Sequence, residues 1–171
     1  MYKFLDRIRE FEIKSKKLRG NYFLDYLREI NEFNEAQSRL SAKLKKFLVE
    51  LFKDLNNVEE LEAFNFHQYT PYFNDGDVCE FYVCHDYPSF EVKFYNDPEG
   101  FRWVDDLDCQ MEYDEEGILT EDLIERTTKC LMKIEEVMRK IPDNLYLQAF
   151  GDHSLIEVSK EGISVSTYDH E

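Results

Sequence analysis

The amino-acid sequence predicts an α+β fold: an N-terminal helical pair with one long helix, then a mostly antiparallel sheet packed against a C-terminal helix. Three observations predict it. Apolar residues recur every three or four positions as far as Leu55. They alternate singly between Leu61 and Val104, and helical spacing returns from Thr120 to Ile141 ahead of a closing hairpin.

Phe4, Ile8, Phe11, Ser15 and Leu18 repeat at helical spacing, and Gly20 stands where a C′ residue would end that helix. Asn21 is the expected N-cap of a second helix, with the stripe Tyr26, Ile30, Phe33, Gln37, Leu40, Leu44, Phe47, Leu51 and Leu55. No Pro or Gly interrupts residues 21–58, so one long helix is expected there, with a bend near Asn34–Ser41 as the alternative. Phe64 and Phe66 then alternate with Asn65 and His67 in a strand ending near Pro71. Asn74-Asp75-Gly76-Asp77 is turn chemistry. Residues 78–85 read as a returning strand, Phe90, Val92 and Phe94 as a third, and Phe101–Val104 as a fourth. Residues 105–118 read as an acidic loop. Thr120 caps a helix with Glu121 and Asp122 in its first turn, where the helix dipole favours negative charge. Leu123, Ile124, Leu131, Ile134, Val137, Met138 and Ile141 form its buried stripe, and Pro142 stops it. A short helix ends at Gly151, and Leu155–Ser159 and Ile163–Tyr168 close the chain as a hairpin around Lys160-Glu161-Gly162.

A chain of 171 residues fits one domain, or one domain plus a projecting element. A hydrophobic share of 43% with 15% aromatics predicts a packed core rather than disorder. The net charge of −16 is unevenly spread. Residues 1–55 hold 13 Lys/Arg and 9 Asp/Glu, whereas residues 56–171 hold 8 and 28, a net of −20. This contrast divides the chain into a basic amphipathic helical segment, 1–57, and an acidic α+β domain, 58–171. A negative field repels nucleic acid and anionic membrane and favours a protein partner with a basic surface. No apolar run approaches the roughly 18 residues of a membrane span, and Met1–Arg7 has no signal-peptide pattern, so a cytoplasmic protein is expected. Cys79, Cys84, Cys109 and Cys130 form no Cys-x-x-Cys pair and are expected to be reduced.

Phosphate-binding loop, dinucleotide fingerprint, nucleophile elbow and His-Glu-x-x-His motifs are all missing, so a non-enzymatic role is expected. Four constellations remain. Tyr69, Tyr72, Asn74, Asp75 and Asp77 surround a turn whose oxygens suit a ligand or a divalent cation, or simply bond their own backbone. Asp152-His153 and Asp169-His170 bracket the final hairpin with nitrogen and oxygen ligands suited to Zn, Mn or Fe. Asp105, Asp106, Asp108, Glu112, Asp114, Glu115 and Glu116 form an acid-dense stretch, either a solvated face or a dock for a basic partner. Phe101 and Trp103 beside it supply apolar anchors. The aromatic stripe of the N-terminal helices, flanked by Lys14, Lys16, Lys17, Arg19, Lys43, Lys45 and Lys46, suits core packing or self-association into a homo-oligomer.

Gln68-Tyr69-Thr70-Pro71-Tyr72-Phe73-Asn74-Asp75-Gly76-Asp77, followed by Cys79-Glu80-Phe81, resembles a motif in small uncharacterised proteins of bacteria and their phages. Phe150-Gly151-Asp152-His153, Glu161-Gly162 and Tyr168-Asp169-His170-Glu171 resemble the C-terminal pattern of the same group. The resemblance covers the C-terminal two thirds in patches. It implies a phage or bacterial origin, hence the host cytoplasm if phage-encoded. It also implies that the 68–77 turn and the terminal hairpin share one functional surface. The expected function is an acidic, non-enzymatic binding protein, in its sharpest form a phage-encoded inhibitor of a bacterial defence or nucleic-acid-handling protein. A metal-dependent enzyme or small-ligand binder, and a self-assembling structural protein, are the alternatives.

Overall fold

Leu44, Leu48 and Phe52 recur every fourth residue, so they line one helix face, and all three are buried. That face joins the end of the first helix to the sheet: the Phe52 ring packs on Phe64 at a centroid distance of 5.4 Å. A computed structural model of the chain describes residues 2–72, 76, 78–112, 114 and 117–169, with side chains described from residue 22 onward. The fold is α+β, with a six-stranded antiparallel sheet.

The long helix α1 runs Tyr2–Leu55. The break expected at Gly20–Asn21 is absent, so the predicted helical pair is a single helix, and residues 21–55 are continuous within it. Glycine inside a helix costs only about 1 kcal/mol relative to alanine, too little to end one without a capping geometry. The chain divides into units of residues 1–39 and 40–171. The division lies nearer the N-terminus than the 57/58 boundary read from charge, because the last turns of α1 are core. In the first unit, Arg28 pairs with Asp25 and Glu32, and Arg39 with Glu35, at helical i,i+3 and i,i+4 spacing. Tyr22, Phe23, Leu24, Tyr26 and Phe33 of that unit are exposed.

In the second unit the strands are β1 (Leu61–Tyr69), β2 (Tyr82–Cys84), β3 (Glu91–Phe94), β4 (Phe101–Trp103), β5 (Ser154–Ser159) and β6 (Ile163–Thr167). β1 is central, with β5 on one side and both β3 and β2 on the other, giving the order β4-β3-β1-β5-β6. The strand expected over 78–85 shrinks to three residues because its partner stops. In this register residues 78–81 fall beyond Tyr69, where β1 ends ahead of Pro71, and at the other end of β2 the edge of β1 from Leu61 to Asn65 is taken by β3. A register shift between Leu61 and Ala63 makes Glu62 an extra residue, so Leu61 and Phe64 both turn to the core.

The helices α2 (Leu107–Met111), α3 (Glu121–Met138) and α4 (Asp143–Phe150) complete the unit. The acidic loop expected over 105–118 is helical at its start: a 3₁₀ turn over Val104–Asp106 leads into α2. Val104 and Leu107 are buried and pin this segment, and Asp108 sits in the first turn of α2 where the dipole favours it. Thr120 caps α3 as the sequence predicts, accepting from the Leu123 N–H at 3.2 Å. Gly151, at φ 86, ends α4. Gln68, fully buried, donates to the Tyr146 carbonyl at 3.2 Å and to the Gly151 carbonyl, tying α4 to the central strand.

One sheet face is packed. Phe64, Phe66, Val92, Phe94, Ile156 and Val158 join helix residues such as Leu48, Leu131, Ile134 and Met138 in one core. None of that core comes from the opposite face of β1, which carries Ala63, Asn65, His67 and Tyr69. Among the described residues no helix is long and apolar enough to cross a membrane.

Candidate binding surface

Strand alternation and register decide what the second sheet face presents. Asn65 lies opposite Glu91 on β3 and Glu157 on β5, Glu91 opposite Trp103 on β4, and Glu157 opposite Ser164 on β6. Trp103, Glu91, Asn65, Glu157 and Ser164 therefore form one row across five strands. The next row holds Phe101, Lys93, Ala63 and Ser159. Lys93 is held by Glu62 at 2.8 Å. That hydrogen bond, with the nearby carboxylate of Glu157, keeps the Lys93 ammonium above the ordinary lysine range.

Asn65 is 3% exposed. Its Nδ2 donates to Glu91 Oε2 at 3.1 Å, which fixes the orientation of the amide, and its Oδ1 is buried without a hydrogen-bond partner. Around the same strand the rings gather. His67 stacks on Tyr168 at 4.3 Å and on Tyr69 at 5.9 Å, and meets Trp103 edge-on at 6.4 Å. Tyr69 also packs on Tyr82 at 4.5 Å and Tyr168 at 5.5 Å. Burial pushes the Tyr69 and Tyr168 phenols above their ordinary range, so both remain neutral hydroxyls at physiological pH.

The acidic stretch is sorted by its contacts. Asp105, Asp106, Asp108 and Glu112 are exposed. Among the described residues none of them enters an ion pair, whereas Lys93, Arg102, Arg126, Lys129, Arg139 and Lys140 are all paired within their own unit. Asp114 is turned inward to accept from the Leu119 N–H at 2.5 Å, so it closes a turn. Glu115 and Glu116 lie outside the described residues. Trp103, 41% exposed, stands immediately before this stretch, and Phe101 is half-buried on the open face.

The turn and the hairpin meet. The Tyr72 ring stacks on His153 at 4.8 Å, nearly parallel, and Asp152 Oδ1 accepts from the Thr70 N–H at 2.8 Å. Asp152 also accepts from the His153 N–H, so its carboxylate serves the backbone, and His153 takes a positive φ of 51. Burial alone would raise the Asp152 carboxyl, but the hydrogen bonds from Thr70 and His153 outweigh it and hold the group low. Asp169 is exposed. Asn74, Asp75, Asp77 and His170 lie outside the described residues, and among those described no three His, Cys, Asp or Glu side chains converge to hold a metal. All four cysteines are free thiols.

The residues that sequence reasoning missed are Asn65, His67, Glu91, Glu157 and Tyr168. Their signal was the polar partner of each aromatic in the alternating strands, but which strands lie side by side is not a local property. Comparison of the chain with family models, curated proteins and solved structures finds no match.

Proposed function

We propose that the chain is a non-enzymatic binding protein that takes hold of a protein partner with a basic surface. In the finer form of this reading it is a phage-encoded inhibitor of a bacterial defence or nucleic-acid-handling protein. The observation that carries the reading is the contrast in pairing. Most bases of residues 58–171 are spent on neighbouring carboxylates, while Asp105, Asp106, Asp108 and Glu112 stand exposed beside the partly exposed Trp103. Unpaired charge of one sign speeds and orients docking, and an aromatic side chain at its edge supplies the apolar anchor. Glu91, partly exposed, lies beside Trp103 in the sheet and adds a further carboxylate next to that anchor.

Immobilised protein presented with bacterial lysate tests this. Capture of a basic partner at low salt should be weakened by high salt and by the joint substitutions Asp105→Asn, Asp106→Asn and Asp108→Asn. Capture indifferent to both would overturn the reading.

Self-association through α1 is a second reading, favoured by the exposed Tyr22, Phe23, Leu24, Tyr26 and Phe33. Light scattering decides it: an oligomer that Tyr26→Glu with Phe33→Glu reduces to monomer supports it, and a monomeric parent removes it.

A further inference from the structure

The row Trp103–Glu91–Asn65–Glu157 carries more than negative charge. A buried polar atom without a partner is rare in folded proteins and calls for a reason. Asn65 Oδ1 is such an atom, on the sheet face turned away from the core, with a carboxylate-bearing strand on either side. We propose that this row is a receptor for a guanidinium group presented by an arginine side chain of a partner protein. The inference rests on the reading of the chain as a binder of basic partners and names the side chain it takes.

Three acceptors lie in line: Glu91, Asn65 Oδ1 and Glu157. Neighbouring strands are about 4.8 Å apart, so these three acceptors span about 10 Å. A guanidinium offers five N–H donors in one rigid plane, a spread that a compact ammonium lacks. Because Asn65 Nδ2 is committed to Glu91, the amide can present only its oxygen to an incoming donor. Trp103 at the end of the row provides the ring face on which a guanidinium stacks. The nearest base does not fill the site: Lys93 is tied to Glu62 at 2.8 Å, and among the described residues neither Glu91 nor Glu157 enters an ion pair. A metal ion fits less well, since among the described residues no three ligating side chains converge.

Trp103 is the only tryptophan in the chain, so its fluorescence reports on the row. Titrating the full chain with N-acetyl-arginine methylamide at low ionic strength should give a saturable change in emission. N-acetyl-lysine methylamide should bind at least about tenfold more weakly, the value of one charge-assisted hydrogen bond. An arginine-containing hexapeptide should bind more tightly than the isolated compound. Equal affinities would point to a small guanidinium metabolite and overturn the protein-partner half. Asn65→Leu should lose about tenfold in affinity or more while keeping or raising Tm, because it removes an unpartnered buried oxygen. Glu157→Gln carries the same expectation if Asn65→Leu fails to fold. A non-saturable response, equal lysine binding, or unchanged affinity in both variants overturns the inference. If arginine is ignored while salt-sensitive partner capture persists, this inference alone falls; if capture fails as well, the reading beneath it falls too.

Discussion

Arg102 grips both carboxylate oxygens of Asp97, at 2.5 and 2.9 Å, with the Asp97 side chain fully buried and that of Arg102 9% exposed. The pair locks the β3–β4 turn, and Arg102 reaches on to Gln110 of α2 at 3.4 Å. Breaking a buried pair strands the surviving charge, at a cost of about 3–5 kcal/mol. Arg102→Met should therefore lower Tm by roughly 10 °C at this chain length. Restoring neutrality with Asp97→Leu in the same chain should recover much of the loss. A thermal melt of the two variants checks this, and equal melting of the single variant and parent would contradict it.

The same pair sets an acid limit. Burial raises the Asp97 carboxyl, but the Arg102 guanidinium outweighs burial and holds it below the ordinary range. A carboxyl lower in the folded state stabilises the fold above its unfolded value of about 3.9 and loses that contribution as pH falls through the folded value. Denaturant titrations between pH 5 and 2 should show a steeper decline for the parent than for an Asp97→Asn variant.

His85 should give a second, separate pH dependence. Burial pushes its imidazole below the ordinary histidine range, against the pull of Asp143 and Asp86. The unfolded chain thus binds a proton at higher pH than the folded one, so stability is full above about pH 6.5 and declines below it. Comparing Tm at pH 7.5 and 5.5, the parent should lose more than His85→Gln. Identical losses would refute the assignment.

The thiols should separate by reactivity. Burial pushes Cys84 up to about 12 and Cys130 up to about 11, which leaves almost no thiolate at neutral pH. Cys109 is exposed on α2. Alkylation followed by mass spectrometry should label Cys109 first and Cys84 and Cys130 only on unfolding.

The α3 cap is the simplest test of local sequence logic. Thr120→Ala removes the acceptor for the Leu123 N–H and should cost about 1 kcal/mol, readable as a shift in denaturation midpoint.

What the sequence revealed and concealed follows from the range of the forces involved. Thr120 and Gly151 act within one turn, and α3 begins and α4 ends where they stand; α3 itself stops at Met138, short of the expected end at Pro142, which instead precedes α4. The alternation around Phe64 and Phe66 likewise marks β1. Gly20 misled because glycine permits a helix end without requiring one. The acid-rich segment after Trp103 looked like a loop because its charges hid the anchoring of Val104 and Leu107. The site was harder still: Asn65 meets Glu91 and Glu157 only through strand order, and no local pattern announces a neighbour so distant in the chain.

Strand β1 must also wait for its second neighbour. Phe64 pairs with Val158, from a strand synthesised long after β1 has left the ribosome, so closure of the sheet is a late, entropically costly event. Until β5 arrives, one backbone edge of the central strand and the rings of Phe64 and Phe66 lack their final cover. An unpaired strand edge and exposed rings promote aggregation, so chaperone demand should fall once the last hairpin emerges.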